Sequence, residues 1–200
     1  MKMEYEKRLR ELINDHNGII LTKDVEEVGI PRQYLTISVQ KNELERVAQG
    51  VYLTPEAFID EMYCIQLRSD KVVFSNETAL YLHGLTDRDP LVYTVTVPRG
   101  YATNRLRETG IAVTTVKKEK YDMGITTAKT IYGRKVRVYN AERTICDIIK
   151  KRNKIDKDMF YVALKRYSSS KRRNLKLLME YAKKLGMEKQ VVQYMEGFLT

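Results

Sequence analysis

The sequence predicts an α+β protein of two parts. Residues 1–54 read as a winged helix-turn-helix, and residues 55–200 as a mixed α/β domain that turns helical from about residue 141. Three observations lead there. Three short helical patterns and a pair of strand-like runs follow one another before Pro55. Beyond it, strand-like runs alternate with longer helical patterns, and from Asp156 onward the chain reads as three amphipathic helices. No Gly/Ser-rich or low-complexity linker separates the parts, and no internal repeat is present.

The elements follow in order. Tyr5, Leu9, Leu12 and Ile13 line one face of a helix over residues 4–15, with Gly18 as its stop. Thr22 is placed as an N-cap, and Asp24 and Glu26 fall in the first helical turn, where the macrodipole favours acids. That helix stops at Gly29. Pro31 then opens a third helix, which Leu35 and Val39, with Ile37 nearby, hold against the first two. Its solvent-facing residues are Arg32, Gln33, Tyr34, Thr36, Ser38, Gln40 and Lys41, and no acid occurs from Pro31 to Lys41. The runs Leu44–Ala48 and Val51–Leu53, joined by Gln49-Gly50, form a hairpin whose Gly supplies the positive φ of a tight turn.

An acid-free helix suits the major groove, where Arg reads guanine, Gln reads adenine, and Ser, Thr and Lys take phosphates. Arg32, Gln33, Thr36, Ser38 and Gln40 are the expected base or groove contacts, and Lys41, Arg46 and Gln49 the backbone and wing contacts. Thr22 and Tyr34 complete the candidate DNA-binding set. Two readings of other kinds stay open: a winged-helix regulator with a ligand-sensing C-terminal domain, and an interaction protein whose winged helix binds protein rather than DNA.

Charge bears on that choice. The chain carries 36 Lys+Arg against 26 Asp+Glu, a net of +10, which points to polyanionic partners. Residues 1–54 nevertheless hold eight bases and nine acids, a net of −1, so the excess lies in the second part. Between Ile145 and Leu185, 13 bases meet 4 acids. Lys150, Lys151 and Arg152, with Lys171, Arg172 and Arg173, are the expected secondary face for DNA or for a protein partner.

In the second part, helices are expected over Pro55–Ser69 (Phe58, Met62 and Ile65 on one face), from Ser75 to a stop at Gly84, and over Ala141–Lys151 capped by Asn140. Strands are expected at Val72–Phe74, Leu91–Val97, Ile111–Val116, Ile125–Ile131 and Lys135–Tyr139. Four runs carry a family resemblance: Leu44–Tyr52, Phe74–Leu85, Val97-Pro98-Arg99-Gly100 and Val138–Asp147. Together they resemble the AbiEi antitoxins of AbiE abortive-infection systems along nearly the whole chain. Asn76 departs from the His of many relatives, at a capping turn that accepts either. The resemblance implies a type IV toxin–antitoxin function in phage defence. It implies a repressor of its own operon, acting through the winged helix on promoter inverted repeats. It also implies a C-terminal domain that counters a nucleotidyltransferase-like toxin, by direct or indirect means.

Catalysis, metals and cofactors are not expected. Asp87-Arg88-Asp89 lacks the Gly-Ser turn and the strand carboxylate that two-metal nucleotidyl transfer needs, and reads as a turn before Pro90. Glu119-Lys120 lacks nuclease spacing. Glu142, Arg143 and Asp147 read as a structural set, with Arg143 and Asp147 four apart on a helix. His83 reads as a helix C-terminal residue and Cys146 as core. With two Cys, two His, no apolar run long enough to span a bilayer and no signal-like N-terminus, a reducing cytoplasmic setting without membrane is expected.

Overall fold

A computed structural model describes residues 2–199. The chain divides into two compact units, Met1–Arg68 and Ser69–Thr200. The division falls after Arg68, beyond the expected break at Thr54, because the helix that follows the hairpin packs back onto the N-terminal sheet.

In the first unit, α1 (Lys2–Asp15), β1 (Ile19–Leu21), α2 (Thr22–Glu27) and α3 (Gln33–Gln40) precede β2 (Glu45–Ala48), β3 (Val51–Leu53) and α4 (Glu61–Leu67). The strands form an antiparallel sheet in the order β1-β3-β2. β1 is an addition to the two strands expected. All three of its residues are buried because both its faces are covered. Ile20 joins Leu9, Ile13, Val25, Tyr34 and Leu35 of the helical core. Ile19 and Leu21 join Val51, Leu53 and Cys64, the last from α4. The expected helix over Pro55–Ser69 is shorter than its pattern suggested: Asp60 caps it, accepting from the Tyr63 N–H at 3.0 Å. Phe58 therefore lies outside it, 73% exposed.

One further detail departs from the sequence pattern. Thr22 is the first residue of α2 rather than its cap; the cap position is Leu21, whose N–H donates to Asp24 Oδ2 at 3.1 Å. Thr22 is held instead by the hairpin, its N–H donating to the Gly50 carbonyl at 3.0 Å. Gly50 adopts φ +75 in the two-residue turn between β2 and β3, which only glycine takes without strain.

The second unit holds β4 (Val73–Phe74), α5 (Asn76–Leu82), β5 (Thr94–Pro98), α6 (Asn104–Glu108), β6 (Ala112–Val116), α7 (Lys118–Tyr121), β7 (Ile125–Lys129) and β8 (Lys135–Tyr139). Helices α8 (Ala141–Lys150), α9 (Lys157–Ser169), α10 (Leu175–Leu185) and α11 (Glu188–Leu199) follow. Its five-stranded sheet has the order β6-β5-β4-β8-β7. The β4–β8 and β5–β6 pairs are parallel, and β4–β5 and β7–β8 antiparallel. Leu80, Ile145, Ile149, Phe160, Leu164 and Leu178 anchor the core shared by α5 and the last four helices. Both units together give a mixed α/β protein.

Candidate nucleic-acid interface

α3 is eight residues long and must bury one stripe while showing another. Tyr34, Leu35 and Ser38 face inward, as the i, i+1, i+4 spacing requires once Leu35 is in the core. Arg32, Gln33, Thr36 and Gln40 are exposed. Two of the expected contact residues are thereby corrected. Tyr34 is 6% exposed, its ring 5.3 Å from that of Tyr5. Ser38, also 6% exposed, donates through Oγ to Glu43 Oε2 at 3.0 Å, and its carbonyl accepts from the N–H groups of Glu43 and Leu44. Neither side chain can reach a base edge.

The outward row is therefore Arg32, Gln33, Thr36 and Gln40, continued by exposed Lys41 just past the helix end. Arg46 and Gln49 are exposed on and beside β2, at and near the hairpin turn. The acids are closer to this row than the sequence of α3 alone indicates. Arg32 Nε donates to Glu26 of α2 in an exposed ion pair. That hydrogen bond, reinforced by the guanidinium charge, holds the Glu26 carboxyl below its ordinary range and raises the Arg32 guanidinium in turn. Lys41 Nζ likewise donates to Glu6 of α1 at 3.0 Å. Sequence reading missed both acids, since one lies six and the other 35 residues from its partner.

In the second unit the basic clusters divide. Glu142, near the start of α8, accepts through Oε1 from the Tyr167 hydroxyl at 3.2 Å and the Asn174 N–H at 3.1 Å. The segment Lys171-Arg172-Arg173 lies between those two residues, so it sits at the N-terminal end of α8. Lys150, Lys151 and Arg152 sit at its other end, about 15 Å away at 1.5 Å per residue. The structure does not bring the two groups together. Individual members are also engaged: Lys151 donates to Thr114 Oγ1 at 3.1 Å, Arg152 lies over the Tyr194 ring, and Arg173 donates to the Ser168 carbonyl.

Arg143, His83 and Asp87, singled out in the sequence, have structural partners. Arg143 is buried, donating through Nε to Asp147 at 3.0 Å and through Nη1 to the carbonyls of Lys120 and Met123. His83 Nε2 meets the Tyr139 carbonyl at 2.6 Å, and burial lowers its pKa. Burial pushes the Cys146 thiol up to about 12. Asp87 pairs with Arg166. Among the described residues, no group of His, Cys, Asp or Glu could hold a metal ion, and no helix is long and apolar enough to cross a membrane.

The first unit is thus a small helical and sheet domain in which α2, a tight turn and α3 are consistent with a helix-turn-helix, the class used by many transcription regulators. Residues 7–55 match the family model described as transcriptional regulator, AbiEi antitoxin. Among solved structures, the RV2827C protein from Mycobacterium tuberculosis is similar at 12% identity with a TM-score of 0.52. That alignment covers 98% of this chain and 82% of the other, and it shows a shared fold. No curated protein matches the sequence.

Proposed function

We propose that the first unit is a winged helix-turn-helix that binds promoter DNA of its own operon, with α3 in the major groove and the β2–β3 hairpin as the wing. On this reading the chain is a non-catalytic antitoxin that represses transcription and counters a nucleotidyltransferase-like toxin. The observation that carries it is the outward row Arg32, Gln33, Thr36 and Gln40 on an acid-free helix, within the stretch that matches AbiEi regulators. Arg32 would exchange Glu26 for a base edge or phosphate on binding, a trade between two charge-assisted hydrogen bonds.

The test is a gel shift of the full chain on its own promoter and on an unrelated duplex. Each bidentate base contact discriminates by about 1–3 kcal/mol. An Arg32→Ala, Gln33→Ala double change should therefore lower the promoter preference by at least roughly 30-fold, while rescue of cells from the toxin persists. Lost rescue with intact repression would reverse this division of labour.

A further inference from the structure

We propose that the outer edge of β6 is a docking site for an acidic, extended segment of a partner protein, which adds to the five-stranded sheet as a further strand. β6 stands at one end of the order β6-β5-β4-β8-β7 and pairs with β5. Its parallel register is unbroken from Thr94 opposite Ala112 to Pro98 opposite Val116. The Ala112 N–H donates to the Tyr93 carbonyl at 2.9 Å, and the Val116 carbonyl accepts from the Arg99 N–H at 2.7 Å. Ala112, Thr114 and Val116 thus turn their backbone groups towards β5, and alternation turns those of Val113 and Thr115 outward. Among the described residues, no backbone group outside the sheet bonds to the N–H or C=O of either.

Native sheets guard such edges with charge, proline, a bulge or brevity. The opposite edge, β7, carries Lys129, which faces Lys135 across the β7–β8 pair. β6 has none of these devices: Ala112-Val113-Thr114-Thr115-Val116 holds no charge, proline or bulge, and is as long as any strand in the sheet. Four of its five residues are β-branched, which suits extended pairing. Charge selects the occupant. From Arg99 to Lys120, six bases meet two acids, and Lys117 follows the strand directly. Lys151 of α8 lies over the strand's centre, donating to Thr114 Oγ1 at 3.1 Å. Asp147 and Glu77 act on Lys151, as do Lys150 and Lys154, which leaves this group positive. A second copy fits poorly, because antiparallel pairing about Thr114 would bring Lys151 beside its twin, and each chain carries +10. An acidic segment gains where a second copy loses.

The inference is independent of DNA binding by the first unit. Its test titrates the full chain against a fluorescent peptide of alternating Thr and Glu, read by anisotropy. Binding is expected, weakening as salt rises, and a Thr and Lys counterpart should bind at least roughly tenfold more weakly. Methylating every peptide amide removes its donors to the Val113 and Thr115 carbonyls, which should cost at least roughly fivefold in affinity. A Thr115→Pro chain withdraws one edge N–H and should also lose binding. Its melting temperature should stay at the wild-type value, since proline is tolerated where an edge N–H faces solvent. If that variant unfolds, the methylated peptide on the wild-type chain decides alone. Absence of binding by the Glu peptide overturns the proposal. Equal binding of its methylated form does so too, since charge attraction alone would then account for it. Displacement of the peptide by duplex DNA would assign the edge to nucleic acid and overturn it. A dimer in sedimentation that Thr115→Pro abolishes would assign the edge to a second copy instead.

Discussion

At the scale of single residues, the proposed contact row of α3 is defined by which side chains already have partners. Arg32 is exposed yet bound to Glu26, so its availability to DNA depends on a residue of the preceding helix. Replacing Glu26 with Gln removes the competitor. Exposed ion pairs are weak, so promoter affinity should rise only roughly two- to fivefold. Part of that gain is net charge alone, and a double-mutant cycle separates the two effects. In an Arg32→Ala background the Glu26→Gln gain should shrink to the charge effect. An equal gain in both backgrounds, read by anisotropy at fixed salt, would show that the pair does not gate binding. Ser38 illustrates the opposite case. Its hydroxyl is committed to Glu43, a residue on the turn after the helix, and periodicity within α3 cannot reveal such a partner. Tyr34 was misplaced on the solvent face: it stands four residues before Ser38 and beside Leu35, and one buried stripe accounts for all three.

Among elements, those longer than one turn with clear caps were readable. Asn140 caps α8 by accepting from the Arg143 N–H at 2.9 Å, and the α8–α11 core follows the expected spacing of apolar residues. The pieces that escaped notice, β1, α6 and α7, are three, five and four residues long. Segments that short cannot hold themselves and owe their shape to tertiary contacts. α7 shows how. Arg143 of α8 reaches the carbonyls of Lys120 and Met123, and Tyr139 of β8 donates its hydroxyl to the Tyr121 carbonyl at 3.0 Å. The buried guanidinium thus ties the chain leaving α7 to the main helical layer. Gly124, at φ +84, makes room for it: a Cβ there would lie 2.8 Å from Arg143 Cβ. Left-handed strain and the displaced Arg143 together should make Gly124→Ala cost about 2–4 kcal/mol. Urea denaturation measures this, and a loss below about 1 kcal/mol would mean that Arg143 moves aside freely.

Across the whole molecule, the two units differ in charge and in packing. Composition disclosed the uneven charge, but it could not show which bases share a surface. Strand register decided that, joining Lys129 with Lys135, while the helical layer set Lys150 and Lys171 at opposite ends of α8. Packing sets the boundary. The sequence break at Thr54 marks the end of the hairpin, yet the sheet cluster of Ile19, Leu21, Val51 and Leu53 is completed by Cys64, with Tyr63 and Leu67 packed against it. A domain of that size is marginal because so little of its surface is buried. Each fully buried apolar side chain supplies about 1.5–3 kcal/mol, so loss of α4 should remove most of the available stability. A fragment ending at Arg68 should accordingly melt cooperatively, whereas one ending at Thr54 should show weak or no thermal transition by circular dichroism. Equal melting of the two fragments would mean that the three-helix core alone sustains the fold and that α4 merely covers it.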